Sequence, residues 1–436
     1  MATEAATHSA ALLPRLGISQ CPMNASEVLD YLASFRLQEP GLALFVKDAI
    51  HSSEAVVIND KTVRRFINEY WTAAQRQAHS IHEVSYRACF KPQLPRFFIA
   101  SLTVPGDTVY DPFAGRGTTA IEAALLGRKV VSNDINPLSK VLTAPRLDPP
   151  TTEEVEKRLG QIASATAPFN KPETDLSMFY HERTLNEILR LRAFLKGKKS
   201  RVDSWIRMVA TNRLTGHSSG FFSVYTMPPN QAVSADAQRK INEVRKQTPP
   251  YRDTREIILR KTYDLLRNLT SEDRKMLREV HPSAKFCASD ARHVAAMKDA
   301  SVALTVTSPP FLDVVQYDKD NWLRCWFNSL DADSIAGQIT MMKKLADWES
   351  VMQGVFRELH RVTRPGGWVA FEVGEVRNGK VKLDEVVAPL GMRAGFECVA
   401  IMVNQQKFTK TANCWGVSNN AKGTNTNRIV LFRKEE

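Results

Sequence analysis

Cysteine is scarce and unpaired in this sequence. Six cysteines are spread through 436 residues, and no two of them stand in a CxxC pair. That spacing disfavours both a zinc cluster and a disulfide framework, so we expect reduced thiols and no bound metal. A chain of this length buries a substantial core without cross-links, as one large domain with insertions or as two to three domains.

Long apolar runs are also missing. No stretch approaches the roughly 18 apolar residues that a membrane span needs. Residues 1–17 combine an early glutamate with only a short apolar run, unlike a secretory signal. The chain is 43% hydrophobic and 24% charged, which is ordinary for a soluble globular protein. We therefore expect a cytoplasmic protein with no membrane partner.

Acidic residues are in deficit. The 59 lysines and arginines outnumber the 47 aspartates and glutamates, which gives a net charge of +12. Residues 138–284 hold 26 basic and 17 acidic residues, so this segment carries most of the excess. A protein that binds a polyanion shows such a balance, although charge alone does not prove a nucleic-acid partner.

Two familiar nucleotide-binding motifs, GxGxxG and GxxxxGK[ST], are absent, which argues against a dinucleotide or a triphosphate ligand. What is present is a stretch over residues 108–137 that predicts a strand, a glycine-rich turn, a helix and a second strand. Gly115 and Gly117 let a ligand approach the turn closely, and Thr118 or Thr119 is expected to cap the helix. The glycines alone leave an ordinary strand-to-helix turn as an equal alternative.

The residues around the glycines are more specific. Asp134 ends the second strand about 20 residues further on, where nucleotide-binding folds place an acceptor for ribose hydroxyls. The strings DPFAGRGTTAIEAALLG and ND resemble the first two motifs of the S-adenosylmethionine-dependent amino-methyltransferases that act on DNA bases. The resemblance implies that Asp111, Gly115 and Gly117 line the methionine part of the cofactor and that Asp134 binds its ribose.

The segment before the first strand extends this resemblance. Its string KPQLPRFFIASLTVPGDTVYDPF is similar to the segment that these enzymes place across the cofactor from the glycine loop. Lys91 would then approach the cofactor's carboxylate end, and a solvated surface charge is the alternative interpretation. The implied set of residues that bind S-adenosylmethionine is Lys91, Asp111, Pro112, Phe113, Gly115, Gly117, Thr118, Asn133, Asp134 and Asp290.

Two further strands are predicted directly before Ser289-Asp290 and before Ser308. In an open parallel sheet, ligands gather at the carboxyl ends of the strands, so we expect Gly115, Asp134, Asp290 and Ser308 at one crevice. By its position Asp290 would bond the exocyclic amine of the cofactor's adenine. A helix cap is the alternative role for this aspartate.

The tetrapeptide Ser308-Pro309-Pro310-Phe311 is the predicted catalytic site. An exocyclic amine is a poor nucleophile because its lone pair is delocalised into the ring. A serine oxygen and the Pro309 carbonyl would bind both amine hydrogens and favour a tetrahedral nitrogen, while Phe311 would stack on a base taken out of the duplex. No Pro-Cys dipeptide occurs, which disfavours a cytosine-C5 enzyme with a cysteine nucleophile.

The target base follows from the first residue of the tetrapeptide. A leading serine resembles the cytosine-N4 enzymes, whereas adenine-N6 enzymes usually carry aspartate or asparagine there. The motif order, with the cofactor loop before the tetrapeptide, departs from the more usual order of the cytosine-N4 enzymes and leaves the adenine-N6 alternative open.

The periodicity predicts an α/β fold, namely a Rossmann-like seven-stranded methyltransferase sheet with a large, mostly helical insertion. The predicted parts are a helical N-terminal segment, 1–80, with helices at 25–35 and 61–77; a methyltransferase domain, 81–137 and 285–436; and an inserted basic target-recognition region, 138–284.

One loop of the insertion, residues 211–234, combines polar and aromatic side chains of the types that read base edges and stack on exposed bases. They are Arg213, His217, Phe221, Phe222, Tyr225, Asn230 and Gln231. An ordinary packed loop is an equal alternative for this stretch.

The sequence therefore predicts an enzyme, a site-specific DNA methyltransferase that flips a cytosine out of duplex DNA and methylates its N4 amine with S-adenosylmethionine. Double-stranded DNA is the predicted partner, and a cognate restriction endonuclease is a second candidate partner. The alternatives are an adenine-N6 DNA methyltransferase, an RNA base amino-methyltransferase, and a non-catalytic nucleic-acid-binding protein with the same fold. The recognition sequence and the oligomeric state are left open.

Overall fold

The computed structural model describes ten stretches of the chain. These are residues 22–36, 52–71, 79–86, 89–165, 174–227, 232–310, 317–338, 344–376, 381–405 and 426–436. Three residues of the predicted functional set, Phe311, Asn230 and Gln231, lie outside the described residues.

The described residues form eleven strands. They are β1 (Ser52–Ile58), β2 (Lys61–Asn68), β3 (Thr108–Asp111), β4 (Lys129–Asn133), β5 (Lys285–Cys287), β6 (Val302–Thr307), β7 (Thr363–Val373), β8 (Glu375–Val376), β9 (Val381–Lys382), β10 (Phe396–Gln405) and β11 (Thr426–Lys434).

The described α-helices follow in chain order. They are α1 (Ala25–Ser34), α2 (Gln93–Leu102), α3 (Thr118–Leu125), α4 (Leu138–Thr143), α5 (Thr152–Ser164), α6 (Glu182–Leu195), α7 (Arg201–Arg213), α8 (Ala235–Arg245), α9 (Thr254–Leu266), α10 (Ser271–Val280), α11 (Tyr317–Asn328), α12 (Ala332–Gln338), α13 (Leu345–Val362) and α14 (Leu383–Arg393). Within the described ranges, none of these helices has the length and apolarity to cross a membrane.

Nine of the described strands form one sheet in the order β1-β2-β10-β11-β7-β6-β3-β4-β5. The five strands from β7 to β5 pair in parallel, and β11 runs antiparallel between β7 and β10. These seven strands, β3 to β7 with β10 and β11, are the ones that the sequence predicted. The Rossmann-like methyltransferase sheet is therefore confirmed, but the predicted count of seven strands is too low because β1 and β2 extend the sheet beyond β10.

The N-terminal segment is only partly helical. The first predicted helix is confirmed by α1, but the second, over residues 61–77, is wrong because its first eight residues form β2. β2 pairs antiparallel with β1 and parallel with β10. The apolar spacing of this stretch is compatible with a helix or with a strand. The strand forms because its backbone groups pair with the edge of β10, which would otherwise be unpaired.

The sheet separates two hydrophobic cores because successive side chains of a strand point to opposite faces. In β3, Val109 belongs to the core under α2 and α3, whereas the next residue, Tyr110, belongs to the core under α13 and α14. Both residues are at most 2% exposed. The strands are thus covered on both faces, and ligand access is left to their ends.

The insertion has a core of its own, which extends into its flanks. Trp205 and Phe179 pack there with Tyr86, from the segment before β3, and with Leu323 and Phe327 of α11. Helix α11 follows the predicted catalytic tetrapeptide in sequence. The insertion is therefore packed directly against segments that adjoin both predicted turns of the site.

Candidate functional site

The glycine-rich loop joins β3 to α3. Gly115 and Gly117 have positive φ angles of 51° and 75°, which L side chains rarely adopt. Gly117 itself is the N-cap of α3, and no side chain caps the helix. The predicted cap at Thr118 or Thr119 is therefore wrong, because both threonines already lie inside the first helical turn.

Gly117 is also required by packing. A Cβ atom at this position would lie 2.2 Å from side-chain atoms of Thr143, at the end of α4. At Gly115 the corresponding Cβ would meet the ring of Tyr86 at 3.4 Å. The sequence predicts that both glycines serve ligand approach, whereas in the structure Thr143 already excludes a side chain at Gly117.

Asp134 holds the loop against the end of β4. Its Oδ2 accepts a hydrogen bond from the Gly115 amide at 2.8 Å, and its Oδ1 accepts one from the Asn136 amide at 2.9 Å. Burial raises the pKa of Asp134 to about 6, although both backbone bonds favour the carboxylate. The carboxyl group is thus placed at the glycine loop, where the sequence predicted a ribose acceptor.

Asp111 connects the loop to the catalytic strand. The Thr307 hydroxyl donates to Asp111 Oδ1 at 2.6 Å, and the Phe113 amide donates to the same oxygen at 3.1 Å. Asp111 is 1% exposed. Burial raises its pKa to about 7, while these hydrogen bonds act in the opposite direction. Since Thr307 directly precedes Ser308, the glycine loop and the predicted catalytic tetrapeptide are held side by side.

Asn133 joins the next pair of strand ends. Its side-chain amide donates to the Pro112 carbonyl at 3.2 Å and to the Ser289 carbonyl at 2.9 Å, and its oxygen accepts from the Ser289 amide at 3.0 Å. Asn133 is fully buried. This geometry gives it a structural role between β3, β4 and β5, and its contact with a cofactor stays a prediction.

The tetrapeptide continues from the end of β6. Ser308 is half-buried and Pro309 is buried. The Pro310 carbonyl accepts a hydrogen bond from Trp348 Nε1 at 3.0 Å, which ties the turn to α13. Ser308 lies beside Glu372 of β7 in the parallel register, and its side chain lowers the pKa of that carboxyl group. Together with the contacts of Asp111, these interactions fix the turn from both neighbouring strands.

Two residues of this site were missed in the sequence. Thr307 directly precedes the tetrapeptide at the end of β6, and only its hydroxyl in a mostly apolar strand marked it. Glu372 is the one charged residue in the apolar run WVAFEV of β7. A lone charge in a central strand is a usable signal, because burying an acid is costly unless it has a role.

Asp290 lies at the end of β5 but is engaged by a neighbour. Its carboxylate accepts bonds from Arg292 Nε at 3.0 Å and from the Arg292 backbone amide at 2.8 Å. No α-helix follows it, because residues 291–300 form turns. The helix-cap alternative is therefore wrong, and adenine recognition by Asp290 stays a prediction.

Lys91 precedes α2 and is half-buried. Burial lowers the pKa of its ammonium group, and the charge of Glu69 opposes that effect. A fully solvated surface charge does not describe this lysine. Its approach to a cofactor carboxylate stays a prediction.

The aromatic loop of the insertion is mostly packed. Phe222 is fully buried and Phe221 is 8% exposed, and the Arg213 guanidinium stacks on the Phe221 ring at 4.0 Å. These three residues are therefore core residues, and the prediction that they contact bases is wrong. His217 is exposed, and the half-buried Tyr225 lies under Arg245 at 3.8 Å.

Tyr317 and Trp322, which follow the tetrapeptide in the sequence, are two further aromatic candidates for a base pocket, with core packing as the alternative. The half-buried Trp322 packs against the core of the insertion, and its Nε1 donates to the Val233 carbonyl at 3.1 Å. These contacts favour the packing role for Trp322. The side chain of Tyr317 lies outside the described residues.

The sheet and its site define a class of protein. Rossmann-like methyltransferases combine parallel strands with an antiparallel hairpin at one side of the sheet. They also have a glycine loop after the first parallel strand and polar residues at neighbouring strand ends, as this sheet does. Two buried carboxyl groups with raised pKa values stand at the glycine loop. They fit a ligand that brings an ammonium group and hydroxyl donors, as S-adenosylmethionine does.

Comparison with known proteins finds a family match over part of the chain. The DNA methylase family of N6/N4 methyltransferases matches residues 43–140, which include the glycine loop and Asp134. This range is therefore similar to the S-adenosylmethionine-dependent amino-methyltransferases of N4/N6 type. The family resemblance and the expected cofactor are confirmed.

Individual relatives cover shorter parts of the chain. The type II methyltransferase M.MjaI of Methanocaldococcus jannaschii is 32% identical over 28% of this chain and 40% of its own length. M.MjaII of the same organism is 29% identical over 22% of this chain and 18% of its own length. The chain therefore spans less than half of each of these relatives.

A solved SAM-dependent methyltransferase of Methanosarcina mazei covers 76% of this chain and 94% of its own, at 10% identity and a TM-score of 0.29. A TM-score this low gives no support beyond that of the sheet topology itself.

Proposed function

We propose that the protein is a DNA methyltransferase that transfers a methyl group from S-adenosylmethionine to the exocyclic N4 amine of a flipped cytosine. The observation that carries this proposal is the 2.6 Å hydrogen bond from Thr307 to Asp111. It holds a predicted acceptor site, Ser308 and Pro309, beside the predicted donor site. Methyl transfer needs donor and acceptor in line and in contact, and such a juxtaposition supplies this.

Bound S-adenosylmethionine would supply an electrophilic methyl group. Asp111, as a carboxylate, would pair with the ammonium group of its methionine part, and Asp134 would accept hydrogen bonds from its ribose hydroxyls. Both side chains already accept backbone amides of the loop region. The loop is therefore organised before the ligand arrives, which limits the entropy that binding costs.

The acceptor site would act by orienting the amine. Ser308 Oγ and the Pro309 carbonyl would each accept one amine hydrogen, which draws the nitrogen toward tetrahedral geometry and exposes its lone pair. The bond from Trp348 to the Pro310 carbonyl holds the turn in place. Serine at the first position supports cytosine N4 as the target. The order of the motifs in the chain favours the second candidate function, adenine-N6 methylation.

Incubation with radiolabelled S-adenosylmethionine and unmethylated duplex DNA, followed by digestion to nucleosides, tests the proposal. We expect label in N4-methylcytosine, with loss of transfer in Ser308→Ala. The matched control is Ser301→Ala, an exposed serine just before the amino end of β6. Label in N6-methyladenine alone would establish the second candidate. Label only with RNA, or none with any nucleic acid while calorimetry shows cofactor binding, would contradict both.

Duplex DNA is proposed as the substrate because of the basic insertion. The turn between α6 and α7 exposes Lys196, Lys198 and Lys199. Lysines that contact phosphates release counterions, so each lost contact reduces the slope of log affinity against log salt by about 0.9. Mutation of all three lysines to alanine is expected to weaken DNA binding and flatten that slope.

Fluorescence anisotropy of labelled duplex DNA at several salt concentrations measures both effects. The control is Lys129→Ala, an exposed lysine at the amino end of β4, opposite the site. A triple variant with the wild-type slope would exclude this turn from the DNA interface. A cognate restriction endonuclease stays a prediction.

A further inference from the structure

Glu372 occupies an unusual place for an acid. It lies in β7, at the centre of the sheet, and is 5% exposed. The parallel register aligns Thr307 with Phe371, so Ser308 and Glu372 each come one residue later at the same carboxyl edge. The proposed acceptor serine and a buried carboxyl group are therefore neighbours across two adjacent strands.

Two uncharged side chains act on this carboxyl group. Asn427 Nδ2 of β11 donates to Glu372 Oε1 at 2.7 Å, and Ser308 lies beside it on the adjacent strand. Burial raises the pKa of Glu372, and both neighbours lower it in favour of the ionised form. Asn427 and Ser308 do not titrate.

Two nearby acids differ from Glu372 because each of them has a cationic partner. Glu375 and Asp384 are both paired with Arg428, at contacts no longer than 3.1 Å. Among the described residues, no ion pair involves Glu372. A buried acid without a cation costs stability, and such groups concentrate at functional sites because a group that exchanges a proton must not be held by a fixed charge.

We infer that Glu372 is a positioning residue that orients the Ser308 hydroxyl and receives, through Ser308, the proton that the methylated amine must lose. This inference rests on the proposed function. When Ser308 donates its own hydrogen to Glu372, its lone pairs face away from that carboxylate and are available to the amine hydrogen.

The atoms and charges balance in this step. The amine nitrogen donates its electron pair to the methyl carbon, and the carbon–sulfur bond breaks with its pair left on sulfur. The nitrogen then carries one hydrogen too many. One N–H bond breaks as its proton passes to Ser308 Oγ, while the Ser308 proton passes to Glu372, which becomes a neutral carboxylic acid. Solvent takes this proton after the products leave.

Single-turnover methyl transfer over a range of pH, with cofactor and DNA saturating, tests the inference. The wild-type rate should rise with pH as Glu372 ionises. Glu372→Gln keeps the shape but cannot accept a proton, so we expect the rate to fall about 100-fold, within the usual range for proton transfer by a positioned side chain, and the rising limb to disappear. Cofactor affinity, measured by calorimetry, should remain that of the wild type.

Asn427→Ala provides a second measurement. Loss of this donor disfavours the carboxylate, so the rising limb should move to higher pH, whereas a purely structural role would leave its position unchanged. The control is Glu397→Gln, an exposed carboxylate on β10 of the same sheet, which should match the wild type.

A wild-type rate or pH profile in Glu372→Gln would overturn the inference, as would a variant whose only defect is cofactor affinity. If Glu372→Gln does not fold, an unshifted profile in Asn427→Ala overturns it instead. The proposed function fails separately, through the identity of the methylated base in the wild type. An enzyme of adenine N6 would still have to remove an amine proton, and the comparison of variants would still apply.

Discussion

The bond between Thr307 and Asp111 is the contact whose loss has the most direct consequence. Thr307→Val removes the hydroxyl and keeps the shape of a side chain that is fully buried. A hydrogen bond to a charged group contributes about 1.5 to 3 kcal/mol, which corresponds to a loss of roughly 10- to 150-fold in affinity for a ligand that needs the Asp111 carboxylate. We therefore expect S-adenosylmethionine to bind that much more weakly.

The pH dependence of binding sharpens this prediction. Burial raises the pKa of Asp111 to about 7, and the Thr307 bond is the largest effect that opposes it. An ammonium group pairs with the carboxylate and not with the neutral acid, so affinity should increase as pH rises through about 7. Without the Thr307 hydroxyl the carboxylate is less favoured, and the midpoint of this increase should move to higher pH.

Isothermal titration calorimetry without DNA, on both sides of that midpoint, measures the two effects together. Thr307→Ser keeps the hydroxyl and should restore most of the affinity and the wild-type midpoint. If Thr307→Val binds the cofactor with the affinity and pH dependence of the wild type, the Asp111 carboxylate does not contact the ammonium group, and our account of the donor site is wrong.

The same pKa shift has an opposite effect on the free protein, because its folded state holds a proton that the unfolded chain releases at its ordinary aspartate pKa. The contribution of Asp111 to the free energy of unfolding of the ligand-free protein should therefore decrease as pH rises from about 4 to about 7. Other groups act in the opposite direction, such as His82, whose pKa burial lowers to about 4. Thermal melts of the wild type and of Asp111→Asn across this interval isolate the contribution, and the same pH dependence in both proteins would contradict the assignment.

Two further pairs of variants test the packing at Gly117 and the effect of burial on the ion pairs of Arg428. Gly117→Ala places a Cβ atom 2.2 Å from Thr143 at a positive φ and should abolish cofactor binding in calorimetry. The control is Gly160→Ala, whose Cβ atom meets nothing within 4 Å and should leave binding unchanged. Equal cofactor affinity in the two variants would refute the packing argument. Arg428→Met removes one of the two arginines that pair with the buried Asp384, the other being Arg65, and should lower the free energy of unfolding by up to about 3 kcal/mol. Arg260→Met breaks only an exposed pair and should lower it by less than about 1 kcal/mol in urea unfolding; similar losses in the two variants would contradict the role of burial.

Local periodicity predicted the seven central strands and the mostly helical character of the insertion, because both depend on short-range apolar spacing and on turn residues. The same pattern failed for residues 61–77. A short amphipathic run suits either element, and β2 forms because β10 offers a pairing edge that is more than 300 residues away in the sequence.

The residues of the site likewise fall into those that local sequence patterns predicted and those that they did not. Gly115, Asp134 and the serine-proline pair were recognisable because each stands at the end of a predicted strand, and strand direction alone brings such ends to one edge. The loop of residues 211–234 was not predictable, because residues that stack on bases are the same residues that fill a core. Phe222 is buried by α-helices that are distant in sequence.

The sequence by itself determined the family resemblance, the expected cofactor and the edge of the sheet at which we predict the chemistry, because motif and strand order are properties of the chain alone. Only the tertiary structure decided which side chains meet at that edge. The contact of Thr307 with Asp111 joins residues 196 positions apart, and Glu372 reaches Ser308 only because β6 and β7 pair in one register. Such distances depend on packing, and no local pattern encodes them.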